Sequence, residues 1–566
     1  MPISKVNKSN CWERWNQGLI TATNVGGLNI ESTGQPQILA NLAANRGINA
    51  IRLWFAWGND YTLSPSDFIT IAKEGWDTPT LNALGKLPLA TIAKQVDHIL
   101  DVCESLGLGV IFTLDFFKTE GDRLWVDKVA GDDYPLATTA LDMQDKLTQF
   151  WVATANRWKT RQAVIGYDIL NEPAPSQTMS FADLNAHPTM NWPGLASKIA
   201  AAIRTQALDT ATPLVVQGIY WGGPNGLGIF YDGMAGTATP NKWLVQDAKV
   251  VYSFHFYEPG EVTQQGVANW CYEGLGLTYP VGTRWRWYWY NGQITSAKLE
   301  PFNTATDMAT NCQIALSFKQ KYNVPIFVGE FSHLDPYFDI NSTLNPADTR
   351  ISEVNEDDYH RQVTSITADG NTVTVNVENI SWALFGWQKQ VQDRGAGGFN
   401  FGVTNAATTA QLQQWQDNGI DINPYFTNTV LLTVKPIPGS PEADAVNALN
   451  IVDQPVKITR IDSKYVFTAS KPVTTVARRA LATKANGEMY FPAVATLSIK
   501  PATSATAMNA SRVAFATDVI SMCQKSRLSW SWHADDLNTG GFVGWRAGPA
   551  VNNVMRQAAM GRRLYK

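Results

Sequence analysis

The chain has 566 residues, of which 45% are hydrophobic and 17% are charged, and its formal net charge at pH 7 is −4. This length exceeds one average domain, so it predicts two units or one large unit with an addition. The acidic balance argues against a nucleic-acid-binding protein, because such proteins usually carry a basic surface.

The cysteines do not indicate a disulfide framework or a zinc site. Five are present, they are far apart, and no two of them form a CxxC pair. No apolar run reaches the ~18 residues that a membrane span needs, and the N-terminal residues lack the apolar centre of a secretory signal. We therefore expect folding in a reducing cytoplasm, or export by some other route. The residues give no reason to predict a metal or a cofactor.

Apolar strand-like runs alternate along the chain with amphipathic helix-like segments. The predicted strands are 23–31, 49–55, 109–117, 164–173, 214–221, 249–257 and 325–331, and the predicted helices between them are 35–46, 89–106, 140–159, 192–207 and 306–322. This alternation indicates parallel βαβ units that wind in one sense. It predicts an α/β fold, a (β/α)8 TIM barrel.

The eighth strand has two candidates, 526–533 and 380–388. We favour 526–533, because an amphipathic segment at 510–525 precedes it and another at 549–560 follows it, as the last two barrel helices should. The alternative is a complete barrel that ends near residue 388 and is followed by a C-terminal β domain.

The segment 339–506 differs in pattern from the rest of the chain. It contains alternating runs at 373–377 and 456–469, and Asp369-Gly370-Asn371 is a strong hairpin-turn signal. We predict a mostly antiparallel β domain inserted between the seventh strand and the seventh helix of the barrel. The predicted domains are 1–338 (barrel strands one to seven), 339–506 (the insert) and 507–566 (barrel completion).

Two strand-like runs end on a carboxylate. Glu172 follows the apolar run that begins at residue 164, and Glu330 ends the run at 325–331. The C-terminal mouth of the strands is where a TIM barrel places its catalytic groups, and we interpret Glu172 as a general acid. By alternation, Asp168 should point away from the lumen or lie in a lower layer.

The spacing of such a carboxylate pair decides its chemistry. Two carboxylates ~5 Å apart across a glycosidic bond hydrolyse it with retention of configuration, and a wider gap that admits water gives inversion. The sequence places both groups at one mouth but does not give their separation.

Several motifs together resemble those of glycoside hydrolase family 5, a TIM-barrel family of retaining β-glycosidases. The residues that carry the resemblance are Arg52 in NAIRLW, Asn171-Glu172-Pro173, His255 and Tyr257 in SFHFY, Gly329-Glu330-Phe331, and Trp530 or Trp532 in SWSWH. The resemblance covers about residues 23–334 and 510–561. The combination of NEP with a later GEF is specific, whereas either tripeptide alone is not.

The resemblance implies a role for each matching residue. Glu172 would protonate the leaving oxygen and then activate water, and Glu330 would attack the anomeric carbon. Arg52 and Tyr257 would donate hydrogen bonds to Glu330 and keep it ionised. The implied sugar contacts are Asn171 at the 2-hydroxyl, His255 at another donor position, and Trp532 as the platform beneath the sugar with Trp530 as its rival.

Structural interpretations of the same residues stay open. Arg52 could serve a structural ion pair, His255 could be a core histidine, and Tyr257 could be packing, while Glu258 is a rival carboxylate. One departure from the family pattern concerns the third strand, which often ends on His in the family. Here Asp115-Phe116-Phe117 stands there, so the sugar specificity is open.

An aromatic segment at 270–290 includes Trp285 and Trp287 and falls in a predicted loop on the catalytic face. Aromatic faces pack against pyranose C–H groups, so one interpretation is a set of outer sugar subsites, and the alternative is a self-packed lid. Anchoring to a membrane through this patch is disfavoured, because basic residues are few.

The β insert resembles small β modules of bacteriophage tail and particle proteins. This resemblance implies an enzyme that is virion-associated or released by lysis, with the insert docking to a particle or holding polysaccharide. We expect a retaining, endo-acting β-glycoside hydrolase acting on a glucan, a mannan or a bacterial surface glycan, with no nucleic-acid partner. The alternative is a non-catalytic carbohydrate-binding tail component on a barrel scaffold.

Overall fold

The computed structural model describes twenty-one stretches of the chain: residues 5–26, 35–55, 63–83, 85, 87–115, 123–127, 139–176, 179–236, 239–263, 277–290, 293–333, 360–377, 428–437, 439, 441–458, 464–468, 477–478, 482–483, 489–490, 494–536 and 548–561. Eight parallel strands within them form a closed barrel. The first strand pairs with both the second and the last, so the ring has no free edge.

The barrel strands are numbered here in chain order. They are β1 (Thr21–Gly26), β2 (Ala50–Trp54), β3 (Gly109–Thr113), β4 (Val164–Asp168), β5 (Leu214–Gln217), β6 (Val250–His255), β7 (Ile326–Phe331) and β8 (Ser529–Asp536). Each strand is hydrogen-bonded in parallel to its neighbours. The predicted TIM barrel is therefore confirmed, and the strand that closes it falls at the later of the two candidate positions. The other candidate, 380–388, lies outside the described residues.

Helices follow the strands along the chain. They are α1 (Cys11–Asn16), α2 (Gln35–Arg46), α3 (Pro65–Glu74), α4 (Leu89–Leu106), α5 (Ala140–Trp158), α6 (Phe181–Ala186), α7 (Trp192–Thr205), α8 (Gly260–Thr263), α9 (Ala305–Asn311), α10 (Gln313–Tyr322), α11 (Ala443–Leu449), α12 (Ala505–Lys525) and α13 (Gly548–Gly561), with a 3₁₀ turn at Pro224–Phe230. In the part of the chain that the structure describes, no helix is long and apolar enough to cross a membrane.

Local sequence explains where several helices begin and end. The α3 helix begins with a capping box, in which Ser64 and Asp67 each accept a hydrogen bond from the other residue's backbone N–H. The α5 helix begins after Thr139, whose side chain accepts from the N–H of Asp142. The α4 helix ends at Gly107 in the left-handed conformation that glycine adopts without strain. The predicted helix 306–322 is instead two helices, α9 and α10, which meet at Cys312.

The barrel strands are buried on both faces, which explains their nearly continuous apolar sequences. One face packs against the helices in a large core. The other faces the barrel interior, where Ile111, Ile165, Val215, Val251 and Phe327 form a separate apolar cluster. These residues come from five neighbouring strands, so the lower part of the barrel is a packed core rather than a pore.

The short helix α1 extends this interior cluster and is not predicted from the sequence. Trp15 on α1 is fully buried, packs edge-on against Phe327 and donates its indole N–H to the carbonyl of Ile165 at 3.0 Å. The polar residues of this segment hide its role, because only the face that carries Cys11 and Trp15 is buried. The helix forms part of the barrel floor.

The inserted segment contains an antiparallel sheet, as predicted. Its six main strands, in spatial order, are Gln454–Ile458, Asn428–Pro436, Ala495–Pro501, His360–Asp369, Thr372–Val377 and Lys464–Thr468. The predicted turn joins two of them, and Gly370 adopts a φ of +58° there. The domain limits at 338/339 and 506/507 stay predictions.

The aromatic segment is not wholly a loop. Residues Thr283–Tyr290 form a strand that pairs antiparallel with Gln293–Pro301. Trp285 and Trp287 lie on this strand, opposite Leu299 and Ala297. Alternating large aromatic residues suit a pleated strand, which is why this part of the predicted loop is a β-hairpin. Residues 264–276, the earlier part of the segment, lie outside the described residues.

We expect Trp15→Ala to lower the free energy of unfolding by ~3–5 kcal/mol, the usual loss when a large buried aromatic residue is truncated. Chemical denaturation followed by circular dichroism measures this change. Trp12→Ala is the matched control on the same helix, because Trp12 is only half-buried. Equal losses in the two variants would contradict the role of Trp15 in the barrel floor.

Candidate active site

Polar side chains replace the apolar cluster at the C-terminal ends of the strands. Glu330 lies near the end of β7, directly opposite His255, the last residue of β6. Glu172 is the fourth residue after the end of β4. Because the strands are parallel, these ends share one mouth of the barrel, as the sequence predicts.

Glu330 is held by donors on both oxygens. Arg52 donates from Nη1 to Oε1 at 2.7 Å, and the Tyr257 hydroxyl donates to Oε2 at 2.8 Å. The Nδ1 atoms of His255 and His533 lie 3.5 and 3.4 Å from Oε2. The Glu330 side chain is 4% exposed, so protein groups rather than water surround almost the whole carboxylate.

These donors decide the protonation state of Glu330. Burial by itself raises the pKa of this carboxyl, but the charges of His255, His533 and Arg52 and the Tyr257 hydrogen bond outweigh burial and hold the pKa well below its usual range. Burial and the nearby Glu330 charge raise the pKa of Tyr257 well above its ordinary value. Tyr257 therefore stays a donor while Glu330 stays ionised.

Arg52 on β2 is fully buried and binds two carboxylates at once. Its Nε donates to Asp168 Oδ2 at 2.7 Å, while Nη1 contacts Glu330. Its remaining hydrogen bonds go to Asn24 Oδ1 (2.7 Å), Thr113 Oγ1 (3.0 Å) and Asn171 Oδ1 (2.7 Å). The planar guanidinium thus links five side chains on or just after β1, β3, β4 and β7 with fixed geometry.

Glu172 has a different environment from Glu330. Its Oε1 lies 2.8 Å from His255 Nδ1, and its side chain is 19% exposed. Its backbone has a φ of +47°, a left-handed conformation that is uncommon outside glycine and asparagine. The Glu172 N–H donates to Gln217 Oε1 at 2.9 Å. The carboxylate that reaches solvent is therefore the one that could exchange protons with water.

The two carboxylates are close together. One ligand atom each from Glu172, His255 and Glu330 lie within 4.8 Å of one another. Such a group could also suggest a cation site. The Arg52 guanidinium on Glu330 would repel a cation there, so the arrangement fits acid–base chemistry better than metal binding.

Four further predicted residues come together here. Arg52, His255 and Tyr257 all contact Glu330. Asn171 accepts from Arg52 and donates from Nδ2 to Asp115 Oδ1 at 3.1 Å. The departure from the family pattern at the end of β3 therefore places an aspartate against the amide of Asn171.

The two tryptophans of β8 contradict the prediction of a sugar platform. Trp530 and Trp532 are both fully buried, and both rings pack edge-on against Phe331 within the core between strands and helices. Ser531, the residue between them, faces the barrel interior, since its Oγ accepts from Asn24 Nδ2. Neither tryptophan has a face for a sugar.

His533 is the residue of β8 that contacts the carboxylate of Glu330. It lies 3.4 Å from Glu330 and packs edge-on against Tyr257. The alternation in SWSWH is the signal that could have found it, because the serines share the inward face and His533 is next in that series. Burial lowers the pKa of His533, and the Glu330 charge acts in the opposite direction.

Asp168 does not point away from the lumen. It is fully buried and accepts from Arg52 and from Gln217 Nε2, which corresponds to the second alternative, a lower layer of the site. The register between β3 and β4 shifts between Val164 and Gly166. This irregularity resets the alternation of β4 and turns Asp168 inward.

Residues 20–390 match the family model described as "Cellulase (glycosyl hydrolase family 5)", more than half of the chain. The chain belongs to glycoside hydrolase family 5. The matched residues include β1 to β7, whereas β8 begins at Ser529, beyond the β insert.

Two curated proteins are similar over part of this family 5 chain. Endoglucanase B of Acetivibrio thermocellus is 28% identical over 170 residues, which cover 29% of this chain and 27% of that protein. Endoglycoceramidase of Hydra vulgaris is 28% identical over 130 residues, 22% of each chain. The chain thus spans about a quarter of the length of these relatives.

Solved structures of endoglucanases are also similar. One endoglucanase aligns with 57% of this chain and 82% of its own at 18% identity, with a TM-score of 0.35. The endoglucanase Cel5A from Thermotoga maritima covers the same shares at 17% identity, with a TM-score of 0.34.

We expect Tyr257→Phe to raise the pKa of Glu330, because the variant removes a hydrogen bond to the ionised form. The acid limb of the kcat/KM profile should move to higher pH, and kcat/KM should fall about 10–100-fold, as for the loss of ~1.5–3 kcal/mol from a bond to a charged group. Tyr220→Phe is the control, since its hydroxyl donates to the Met179 carbonyl. An acid limb that stays in place in Tyr257→Phe, or that moves equally in Tyr220→Phe, would contradict the role of Tyr257 in keeping Glu330 ionised.

We expect Arg52→Met to lower the free energy of unfolding at pH 7 by ~3–5 kcal/mol, because two buried carboxylates lose their cation. The loss should shrink as the pH falls through ~4, since protonation removes the unpaired charges. Urea unfolding at both pH values measures this. The double variant Arg52→Met/Asp168→Asn should lose less than Arg52→Met alone, and an equal or larger loss would contradict the pairing.

Proposed function

We propose that this family 5 protein is a retaining, endo-acting β-glycoside hydrolase whose substrate is a β-linked glucan. The observation that carries the proposal is the approach of Glu172 and Glu330, whose ligand atoms lie with His255 within a 4.8 Å group. Retaining glycosidases hold their two carboxylates ~5 Å apart, while inverting enzymes need room for a water between them.

Glu330 is the nucleophile of the proposed reaction. Its Oε atom attacks the anomeric carbon as the glycosidic bond breaks, which gives a covalent glycosyl-enzyme. The depressed pKa keeps the carboxylate ionised for this step. Arg52 and Tyr257 fix its orientation, since each binds a different oxygen of the carboxylate.

Glu172 is the acid and then the base of the proposed reaction. It gives its proton to the leaving oxygen in the first step and takes one from water in the second. Its greater exposure supports proton exchange with solvent between the steps. His255, at 2.8 Å from Glu172 and 3.5 Å from Glu330, stands between the two carboxylates and restrains both.

The sugar contacts belong to the same proposal. Asn171 is oriented by Arg52, by Gln217 and by Asp115, and an amide held this way could bind a sugar 2-hydroxyl. Trp285 and Trp287 stay proposed outer-subsite residues, on the hairpin strand Thr283–Tyr290. His533 lies 3.4 Å from Glu330, whereas both tryptophans of β8 are buried, and it is a candidate sugar contact in their place.

The substrate class rests on the similar proteins rather than on the site alone. The relative named endoglucanase B supports a β-glucan. The relative named endoglycoceramidase supports a second candidate, a glycan linked to ceramide. Mannans and bacterial surface glycans stay alternative substrates, because the departure at Asp115 alters the surroundings of Asn171.

We expect release of reducing ends from at least one of β-glucan, β-mannan, glycosphingolipid or capsular polysaccharide. Glu330→Gln should lower this release by ~10⁴-fold or more, because the nucleophile is lost. Glu258→Gln is the matched control, a carboxylate one residue after Tyr257. Proton NMR of the first product should show the β anomer.

Two results would refute parts of this proposal. An initial α anomer would exclude retention. Binding of a glycan without hydrolysis, equal in the wild type and in Glu330→Gln, would instead favour the non-catalytic carbohydrate-binding component. The intact pair of carboxylates with a full set of donors supports the enzyme.

The β insert adds a separate proposal, that it docks the enzyme to a particle or holds polysaccharide beside the site. Among the described residues, its antiparallel sheet is separate from the barrel sheet, which supports a distinct role. Replacing residues 339–506 by a short linker separates the two roles. Loss of activity on long polymers alone would support polysaccharide holding, and unchanged activity and assembly would exclude both.

A further inference from the structure

The acid/base residue sits on a strained backbone. Glu172 has a φ of +47°, and a residue other than glycine keeps this left-handed conformation only where its surroundings hold it there. The Glu172 N–H donates to Gln217 Oε1 at 2.9 Å.

Gln217, the last residue of β5, is fully buried and its amide is fixed in one orientation. Its Nε2 donates to Asp168 Oδ1 and Oδ2 at 3.1 and 3.0 Å and lies 3.3 Å from Asn171 Oδ1. A flipped amide would place its oxygen against the Asp168 carboxylate and its NH₂ against the Glu172 N–H. Both contacts would be repulsive, so only the observed orientation satisfies the neighbours.

Asp168 is held by Arg52, which also binds Glu330, the proposed nucleophile. Arg52 donates from Nε to Asp168 and from Nη1 to Glu330, both at 2.7 Å. The chain of contacts therefore runs from Glu330 through Arg52, Asp168 and Gln217 to the backbone of Glu172. All of its side chains are at most 4% exposed, so water does not compete for these hydrogen bonds.

Gly222, in the loop after β5, lies close to both Gln217 and His255, the residue that contacts the Glu172 carboxylate. The Gly222 carbonyl accepts from the His255 N–H at 2.7 Å. A Cβ on Gly222 would lie 3.2 Å from Gln217 Oε1 and 3.4 Å from the His255 ring. Gln217 thus fixes the backbone of Glu172 while the adjacent His255 contacts its carboxylate.

We propose that Gln217 is a positioning residue for the acid/base, and that it ties the placement of Glu172 to the Arg52–Asp168 pair. This inference rests on the proposed roles of Glu172 and Glu330. It assigns Gln217 to proton transfer rather than to nucleophilic attack, because its hydrogen bonds reach Glu172 directly and Glu330 only through two other side chains.

The proton balance of the first step gives a specific readout. As Glu330 forms its bond to the anomeric carbon, the departing oxygen leaves with the electron pair and takes the Glu172 proton. A 2,4-dinitrophenolate leaves without that proton, whereas the alkoxide of a sugar does not. A misplaced acid therefore slows glycosylation by sugar leaving groups and spares dinitrophenyl glycosides.

The test is Gln217→Met, which keeps the length of the side chain and removes its hydrogen bonds. We measure kcat/KM for cellotetraose and for 2,4-dinitrophenyl β-cellobioside on one preparation. We expect a fall of about 10–100-fold for cellotetraose, part of the 10²–10⁴-fold that general acid catalysis supplies, and less than about threefold for the dinitrophenyl substrate. Azide should raise kcat of the variant on the dinitrophenyl substrate, since it attacks the glycosyl-enzyme without a base.

Asn49→Leu is the matched control. Asn49 is another buried amide, which accepts from the Thr21 N–H at 2.9 Å and donates to the Leu19 carbonyl at 2.8 Å, near the start of β1. Its loss should change both substrates by the same factor. The ratio of the two kcat/KM values does not depend on the folded fraction, so a partly unfolded preparation still decides the question.

The variant Glu172→Gln distinguishes failure of the Gln217 role from failure of the proposed acid/base role of Glu172. If Glu172→Gln shows the leaving-group signature and Gln217→Met slows both substrates equally, the role of Gln217 is refuted and the proposed function stands. If Glu172→Gln itself slows both substrates equally, the assignment of the acid is refuted, and the role of Gln217 with it.

Discussion

The site depends on one buried cation that lies between two carboxylates. Arg52 binds Asp168 and Glu330 at 2.7 Å each, and neither the guanidinium nor Asp168 is exposed. A buried carboxylate without a partner costs several kcal/mol, so each of the three charges needs the others. One carboxylate would neutralise the charge of Arg52, so the second carboxylate leaves this group of three with a net negative charge.

The barrel provides the conditions for this arrangement. Its lower interior is filled by an apolar cluster and covered by α1, with Trp15 bonded to the Ile165 carbonyl. The polar layer above it is built from strand ends, where donors from different strands converge without bending any single chain segment. Polar contacts in such a dry site are stronger than in water, and they are costly when incomplete. The near-complete pairing of Arg52 follows from that constraint.

The two carboxylates differ because their surroundings differ. Glu330 faces Arg52, Tyr257 and two histidines, which keep it charged. Glu172 shares His255 with it but reaches solvent and sits on a left-handed backbone held by Gln217. One carboxylate is thus buried and held ionised, while the other reaches solvent, and this difference supports the proposed division of roles in retaining hydrolysis.

The sequence by itself determined the barrel, favoured the later of two positions for its eighth strand and indicated the two candidate acids, because long apolar runs and helix periodicity are local signals. Glu172 and Glu330 could be found since each ends such a run. Only the tertiary structure decided which side chains surround them. Trp532 and His533 are adjacent in sequence, yet one fills the core and the other reaches Glu330, since alternate residues of a strand face opposite sides. A register shift turned Asp168 inward, and Gln217 gained its role from neighbours distant in sequence, which no local pattern encodes.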